Sequence, residues 1–405
     1  MSTIASSSTA SLEILEETTY GVIESTAPRS LRMLSEDLKF DVKSESTKEI
    51  NDTRQVTDSI IVDAESGGGV NFELSYREYD DLLEALLAGT FNTFGTNGIN
   101  TLTVTINKVA GTITDDGVDG FTGFVVGQWF SLSSTVANDG IYRIASMTND
   151  VLTVDSSTPL LADETSTVGV EVSSTRLSNG LAALRSFSIQ KKFSDVSQYF
   201  MFTGMSPSTF SLDFSTASIV SGNIGFLGKG SSRSNSSLFP GGAPTASQSF
   251  GVMNSVTGVG ARAGSGAIIA RNAGATELLA NTFVQSMKLS VGAGLRGQKA
   301  IGVLGNAGVA LGTFDIKGTL DVYLADGTIY DEALANNLVS IEFPVKDVNN
   351  NGYAFIFNNC KLGVPTVTAG GMDSDIVMSI PFTAVAPDTA TDKMLIVDRF
   401  GAAPM

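Results

Sequence analysis

Gly69-Val-Asn-Phe-Glu-Leu-Ser75-Tyr-Arg-Glu-Tyr-Asp80-Asp-Leu-Leu-Glu-Ala-Leu-Leu87 reads as a strand that runs straight into a helix. Val70, Phe72 and Leu74 alternate with polar residues, the period of a strand buried on one face. Tyr79, Leu82, Leu83 and Leu86 then recur at i, i+3, i+4 and i+7, the stripe of an amphipathic helix. Ser75 and Glu78 have the spacing of a capping box, and Gly89 lies where a helix ends.

Upstream, Leu38, Phe40 and Val42 alternate with Lys39 and Asp41, a second half-buried strand. Between the two strands, residues 43–66 carry Lys43, Glu45, Lys48, Glu49, Asp52, Arg54 and Asp58, with Val56, Ile60, Ile61 and Val62 interleaved. This composition predicts a long, two-signed loop or hairpin, and loops of such length are usually functional or disordered. Residues 1–28 are rich in Ser, Thr and Glu and have only Leu12, Ile14 and Leu15 as a larger apolar cluster. They read either as an unstructured tail or as an arm that orders against a neighbouring subunit.

Downstream, the same order of elements returns. Phe283–Val291 leads through a Gly-rich loop to Gly312-Thr-Phe-Asp-Ile-Lys-Gly-Thr-Leu320, and Thr328 and Asp331 have a second capping-box spacing ahead of Tyr330, Ala333 and Leu334. Phe187-Ser-Ile parallels Val339-Ser-Ile, Gln198-Tyr-Phe-Met-Phe parallels Gly352-Tyr-Ala-Phe-Ile-Phe, and Ser218–Phe226 parallels Asp375–Phe382. Order more than identity argues for a tandem duplication; the alternative is two unrelated β domains. Residues 96–180, rich in Thr, Val, Asn and Asp with regularly spaced turn residues, read as a small all-β domain inserted into the first copy. The expected organisation is an arm (1–28), a discontinuous first domain (29–95 and 181–228), the insert (96–180), a Gly/Ala/Ser-rich linker (229–279) and a second domain (280–405). The fold class is mainly β.

Composition narrows the function. The chain has 405 residues, net charge −17, no His, one Cys and one Trp. Without His it lacks the usual general base near neutral pH and the commonest metal ligand. One Cys makes neither an internal disulfide nor a multi-thiolate zinc site. Acids in excess argue against a scaffold that grips phosphate backbones. No stretch has the length and apolarity of a membrane-spanning helix, and the N-terminus lacks a secretory pattern. Asp115-Asp-Gly-Val-Asp-Gly120 lacks EF-hand ligand spacing, and the Gly-rich run 258–266 lacks the Lys-Ser/Thr of a P-loop. No catalytic, cofactor-binding or metal-ligating residue is therefore assigned.

At Asp52-Thr-Arg-Gln-Val-Thr-Asp58, Gly69–Leu87, Lys192-Phe-Ser-Asp-Val-Ser-Gln-Tyr-Phe-Met-Phe-Thr-Gly-Met205 and Leu395-Ile-Val-Asp-Arg399 the sequence resembles the tail tube proteins of long, non-contractile-tailed bacteriophages. The resemblance covers 15–95 and 183–230 well and 280–400 more loosely; residues 96–180 and 229–279 lie outside it. It implies β-barrel or sandwich domains, each flanked by a helix. It further implies rings stacked into a hollow tube, passage of double-stranded DNA through the lumen, and contact with other tail proteins such as the tape measure. It places the protein in the virion tail, after assembly in the host bacterial cytoplasm.

With two copies per chain, three chains are expected to complete a pseudo-six-fold ring, six chains being the alternative. The loop Lys43, Glu45, Lys48, Glu49, Asp52, Arg54 and Asp58 is expected to bridge rings. Glu73, Asp315 and Lys317 are the lumen candidates, and 96–180 is expected outside the tube. The competing expectation is a virion-surface or secreted module that recognises a receptor or glycan through 96–180.

Overall fold

The computed structural model describes residues 4–53, 55–92, 99–247, 251–255, 268–279, 282–388 and 392–401. The architecture is mainly β with two short helices.

The first third contains β1 (Ala10–Glu17), β2 (Arg29–Leu31), β3 (Ser35–Glu36), β4 (Lys39–Ser46), β5 (Ser59–Glu73) and helix α1 (Asp80–Leu87). Strands β6 (Ile99–Asn107), β7 (Thr112–Asp115), β8 (Trp129–Ser133), β9 (Gly140–Met147), β10 (Val151–Val154) and β11 (Glu164–Ser173) close a separate barrel in the order β10-β7-β6-β11-β8-β9. Its core is its own: Val104, Ile106, Ile113, Phe130, Leu132, Tyr142, Leu152 and Val172 are buried together. The next strand, β12 (Thr175–Ser178), leaves the barrel.

Strands β13 (Ser186–Phe193), β14 (Gln198–Ser215), β15 (Ser221–Gly228), β16 (Gly230–Ser234) and β17 (Ile269–Asn272) follow. The stretch expected as a linker thus has strands at both ends; β16 pairs with β14, and β17 pairs with β22 (Leu338–Lys346) of the last section. Buried Ile268, Ile269 and Ala270 supply the apolar anchor there.

The last section has β18 (Val284–Gly292), a small hairpin of β19 (Arg296–Gln298) and β20 (Gly308–Ala310), β21 (Asp315–Tyr323), helix α2 (Thr328–Leu334), β22, β23 (Gly352–Leu362), β24 (Thr366–Ala369), β25 (Ile376–Ala384) and β26 (Ile396–Phe400). β26 pairs with both β23 and β12.

One antiparallel pairing pattern occurs twice. The first copy runs β4–β5–β15–β14–β13, and the second runs β18–β21–β25–β23–β22. Even an irregularity repeats: the β13–β14 register slips between Phe187 and Ile189, and the β22–β23 register slips between Val339 and Ile341. Bulges aim side chains and fix register, so a shared bulge is a stronger mark of kinship than shared strand order. The long β14 of the first copy corresponds in the second to β23 and β24, separated by a break at Gly363–Pro365.

The copies are joined through main chain and core. β14 pairs with β18 from Thr209 opposite Gly292 to Ser215 opposite Ser286. Beneath that ladder Phe72 and Phe210 of the first copy meet Phe355 and Phe343 of the second, with ring centroids 5.8, 6.5 and 4.9 Å apart along the chain of contacts. Helix α1 is tied to the second copy as well, where Asp80 takes both Tyr353 and Arg399.

Three local expectations are corrected. Residues 10–17, expected in a tail or in an arm that orders against a neighbour, form β1, which pairs with β13 of its own chain and buries Leu12 and Ile14. The helix starts at Asp80 with Tyr79 as N-cap, so Ser75 and Glu78 form no capping box. Glu78 is buried, and its carboxylate instead accepts the Arg32 N–H at 3.0 Å and faces Arg29 at 3.4 Å. Helix α2 likewise has no side-chain cap, and it buries Ile329 and Ala333 while Leu334 stays exposed.

Candidate assembly surfaces

Strands β5, β15, β14, β18 and β21 lie side by side, so one sheet crosses the boundary between the copies. One face buries Val70, Phe72, Ile224, Phe210, Leu212, Leu289, Val291, Ile316 and Leu320. The alternate residues face an open concavity lined by polar side chains. Register aligns Asn71, Asn223, Ser211, Ser290 and Lys317 in one row across the strands, and Glu73, Ser221, Asp213, Lys288 and Thr319 in the next. Lys288 lies 3.8 Å from Asp213, and Lys317 lies 2.7 Å from Asp315. Such exposed pairs contribute about 0–1 kcal/mol each, so they shape the field of the surface more than its stability.

The three residues named from sequence as lumen candidates, Glu73, Asp315 and Lys317, are therefore brought onto one polar face. Asp213 and Lys288 belong to it too. Alternation within each strand was visible in the sequence, but which strands adjoin, and which face is shared, depends on pairing.

At one edge of this sheet β4 and β5 continue as a hairpin. Its ladder reaches Ser46 opposite Ser59, and the described residues 47–53 and 55–58 lie at the tip. Lys43, Glu45, Lys48, Glu49, Asp52 and Asp58 are all exposed; Arg54 lies outside the described residues. The tip is held by its own polar groups: Asn51 Nδ2 donates to Gln55 O at 2.6 Å, and the Thr47 and Thr57 hydroxyls are 2.7 Å apart. Val42, Ile50, Val56, Ile60, Ile61 and Val62 are also exposed, an apolar patch of the kind that marks interaction sites. The second copy's equivalent loop, with β19 and β20, instead lies against the first copy. Lys299 bonds Asp63 at 2.8 Å, and Asn306 Nδ2 donates to Gly228 O at 2.8 Å.

The barrel docks on the second copy through buried charge. Trp129 Nε1 donates to Glu342 at 2.8 Å, and its main-chain N–H donates to Asp398 at 2.9 Å. The Arg143 guanidinium forks onto Glu342 and also reaches Asp155 at 3.0 Å, while Arg271 meets Asp155 at 3.0 Å and Arg176 meets Asp398 at 2.6 Å. Burial alone would raise the Asp155 carboxyl; hydrogen bonds from Ser157 and the charges of Arg271 and Arg143 outweigh it and hold it below its usual 3.8. For Asp398, burial dominates and pushes the carboxyl up despite Arg176. Ile141, Ile269, Ala354, Ile356, Ile396 and Phe400 pack around these groups. On β23, Ala354 and Ile356 face the barrel while Phe355 and Phe357 face the main core. The barrel thus sits on the far side of that layer from the core.

The remaining chemical-looking groups are engaged in structure. Asp115 accepts the Gly117 and Gly120 N–H groups, each at 3.1 Å, which makes the Asp-rich turn self-contained. Asp81 pairs with Arg29 at 2.8 Å and Glu84 with Arg185 at 2.6 Å. Cys360 is buried, and burial pushes its thiol up, away from reactivity. Among the described residues no group of three or more acidic, His or Cys side chains is placed to hold a metal ion. A family model described as phage tail tube protein matches residues 7–384, across both copies and the barrel inserted in the first.

The chain belongs to the phage tail tube protein family.

It is thus a structural component of a phage tail, a virion part built by self-assembly. No curated protein matches the chain. Among the described residues no helix is long and apolar enough to cross a membrane.

Proposed function

We propose that three chains close into a pseudo-six-fold ring, and that rings stack into the tube through which double-stranded DNA passes during infection. The observation that carries this reading is the repeated pairing pattern, with its two copies already joined side by side by the β14–β18 ladder. Repeating that junction between chains generates a closed, heterologous ring in which each chain fills two positions.

In this ring the continuous polar face lines the lumen, with Glu73, Asp315 and Lys317 on it. Its mixed charges include no run of Lys and Arg, and a wall that does not bind phosphates lets DNA slide. The hairpin with Lys43, Glu45, Lys48, Glu49, Asp52, Arg54 and Asp58 reaches the adjacent ring, its charges setting register and its apolar patch supplying affinity. The barrel, docked beyond the layer that backs the core, lies on the tube exterior. Other tail proteins, the tape measure among them, meet the tube during assembly in the host cytoplasm.

Electron microscopy of the purified protein tests the reading. Hollow tubes or stacked rings whose projection down the axis shows three outer barrels support it; six barrels per ring would replace three chains by six. Particles that stay monomeric at high concentration would sink it.

A further inference from the structure

The ring reading leaves open which strands join one chain to the next, and the internal ladder answers it. We infer that β24 of one chain pairs antiparallel with the β3–β4 edge of a second copy, with Val367 opposite Leu38, and that a Glu36–Lys191 clasp covers this edge before assembly. The inference rests on the ring reading and deepens it.

Register settles the equivalences. Met205 opposite Phe187 corresponds to Cys360 opposite Val339, and Asp213 opposite Ser221 to Thr368 opposite Val377. Glu73 opposite Ser221 corresponds to Tyr323 opposite Val377, and Lys39 opposite Gly67 to Ser290 opposite Lys317. Thr366–Ala369 is therefore the counterpart of Ser211–Phe214, and Glu36–Lys39 of Met287–Ser290. Inside the chain these counterparts pair: Ser211 with Ser290, Leu212 with Leu289, Asp213 with Lys288. Carried to the chain boundary, the same junction puts Thr366 opposite Lys39, Val367 opposite Leu38 and Thr368 opposite Asp37.

Both edges are available. Among the described residues β24 pairs only with β25, and all four of its residues are exposed; β4 pairs only with β5. The Asp37 N–H donates to Gly69 O at 3.0 Å, so the main-chain groups of the next residue, Leu38, point away from β5. Side chains satisfy them: Leu38 N–H donates to Glu36 Oε2 at 2.9 Å, Leu38 O accepts from Lys191 Nζ at 3.1 Å, and Lys191 and Glu36 are 2.7 Å apart. Side chains that occupy an edge strand's free groups prevent indiscriminate pairing. Val367 of the incoming chain would take over both bonds.

A cysteine pair reads the register. Directly opposite residues have Cα atoms roughly 4.5–5.5 Å apart, within disulfide reach, whereas a shift of two residues adds roughly 7 Å along the strand. Thr366→Cys with Lys39→Cys, assembled and then oxidised, is expected to give a reducible covalent species that stops at three chains. Thr366→Cys with Asp41→Cys is expected to cross-link at least tenfold less; buried Cys360 stays out of the reaction. Equal or better yield from the shifted pair, or no cross-link in samples whose rings are visible by microscopy, overturns the register while the ring reading stands. No rings from wild-type protein overturns both. Lys191→Met, which keeps the apolar stem but frees Leu38 O, is expected to speed ring formation several-fold; an unchanged or slower rate removes the clasp and leaves the register to the cysteine result.

Discussion

Glu342 shows how much one residue can depend on distant chain. It is buried, and it accepts from Trp129, which lies 213 positions earlier, and from Arg143. Breaking a buried pair from one side costs more than the pair contributes, because a charge is left behind without its partner. Glu342→Gln keeps a hydrogen-bond acceptor for Trp129 but leaves Arg143 with Asp155 as its one remaining carboxylate, and is expected to destabilise the barrel's docking by ~1.5–3 kcal/mol. Thermal unfolding followed by fluorescence of Trp129, the single Trp of the chain, measures it. The same probe tests pH. Asp155 is held below its usual 3.8, so its contribution is complete above that value and is lost as the pH falls through its lower folded value. Asp155→Asn should remove that acid-side loss, making the variant's docking less pH-dependent than wild type below about pH 4. Nothing around Trp129 or Glu342 in the sequence announced either role, since a lone Trp and a lone Glu become a site only when β8 and β22 meet.

The elements were legible to different degrees. The β5–α1 junction, the β4–β5 hairpin and the order of the second copy follow from local periodicity, which needs only neighbouring residues to be read. Helix starts did not follow, because Ser75 and Glu78 have capping spacing yet Glu78 is drawn to Arg29 and Arg32 on a separate strand segment. Strand β1 was not legible as a strand of its own sheet, since Leu12 and Ile14 gain burial only against β13. For the hairpin, Ile60→Lys with Val62→Lys is expected to leave rings intact and to shorten or abolish stacks, scored as tube length in micrographs. For the barrel, deletion of residues 96–180 is expected from sequence to leave the tube intact; the barrel strands themselves span 99–173. The docking face changes that expectation. Deletion uncovers Ile356, Ile396 and Phe400 and takes Arg143 and Trp129 from Glu342, so it should lower the melting temperature of the remainder, and Glu342→Gln in the deleted chain should recover part of the loss.

For the whole molecule the open question is where the −17 charge is placed. Residues 1–95 carry −11 of it, much of it on the hairpin and around α1 and not on the polar face. Of the lumen candidates, Glu73 stands in a row with Asp213 and Lys288, where a reversed charge changes the local field most. Glu73→Lys is expected to slow DNA ejection while leaving tube assembly unchanged, measured by release from assembled particles; unchanged ejection would take Glu73 off the lumen wall.

The sequence by itself determined the mainly β class, a small all-β insert within the first of two similar halves, and the family, because strand alternation, turn residues and motif order are local or linear properties. Only the tertiary structure decided that the halves share one sheet and one aromatic core, that the barrel is fastened by buried ion pairs, and that the outer edges of β4 and β24 are left without a strand partner among the described residues. Those are pairings between residues far apart in the chain, and strand periodicity specifies which face of a strand is apolar without specifying which strand lies beside it.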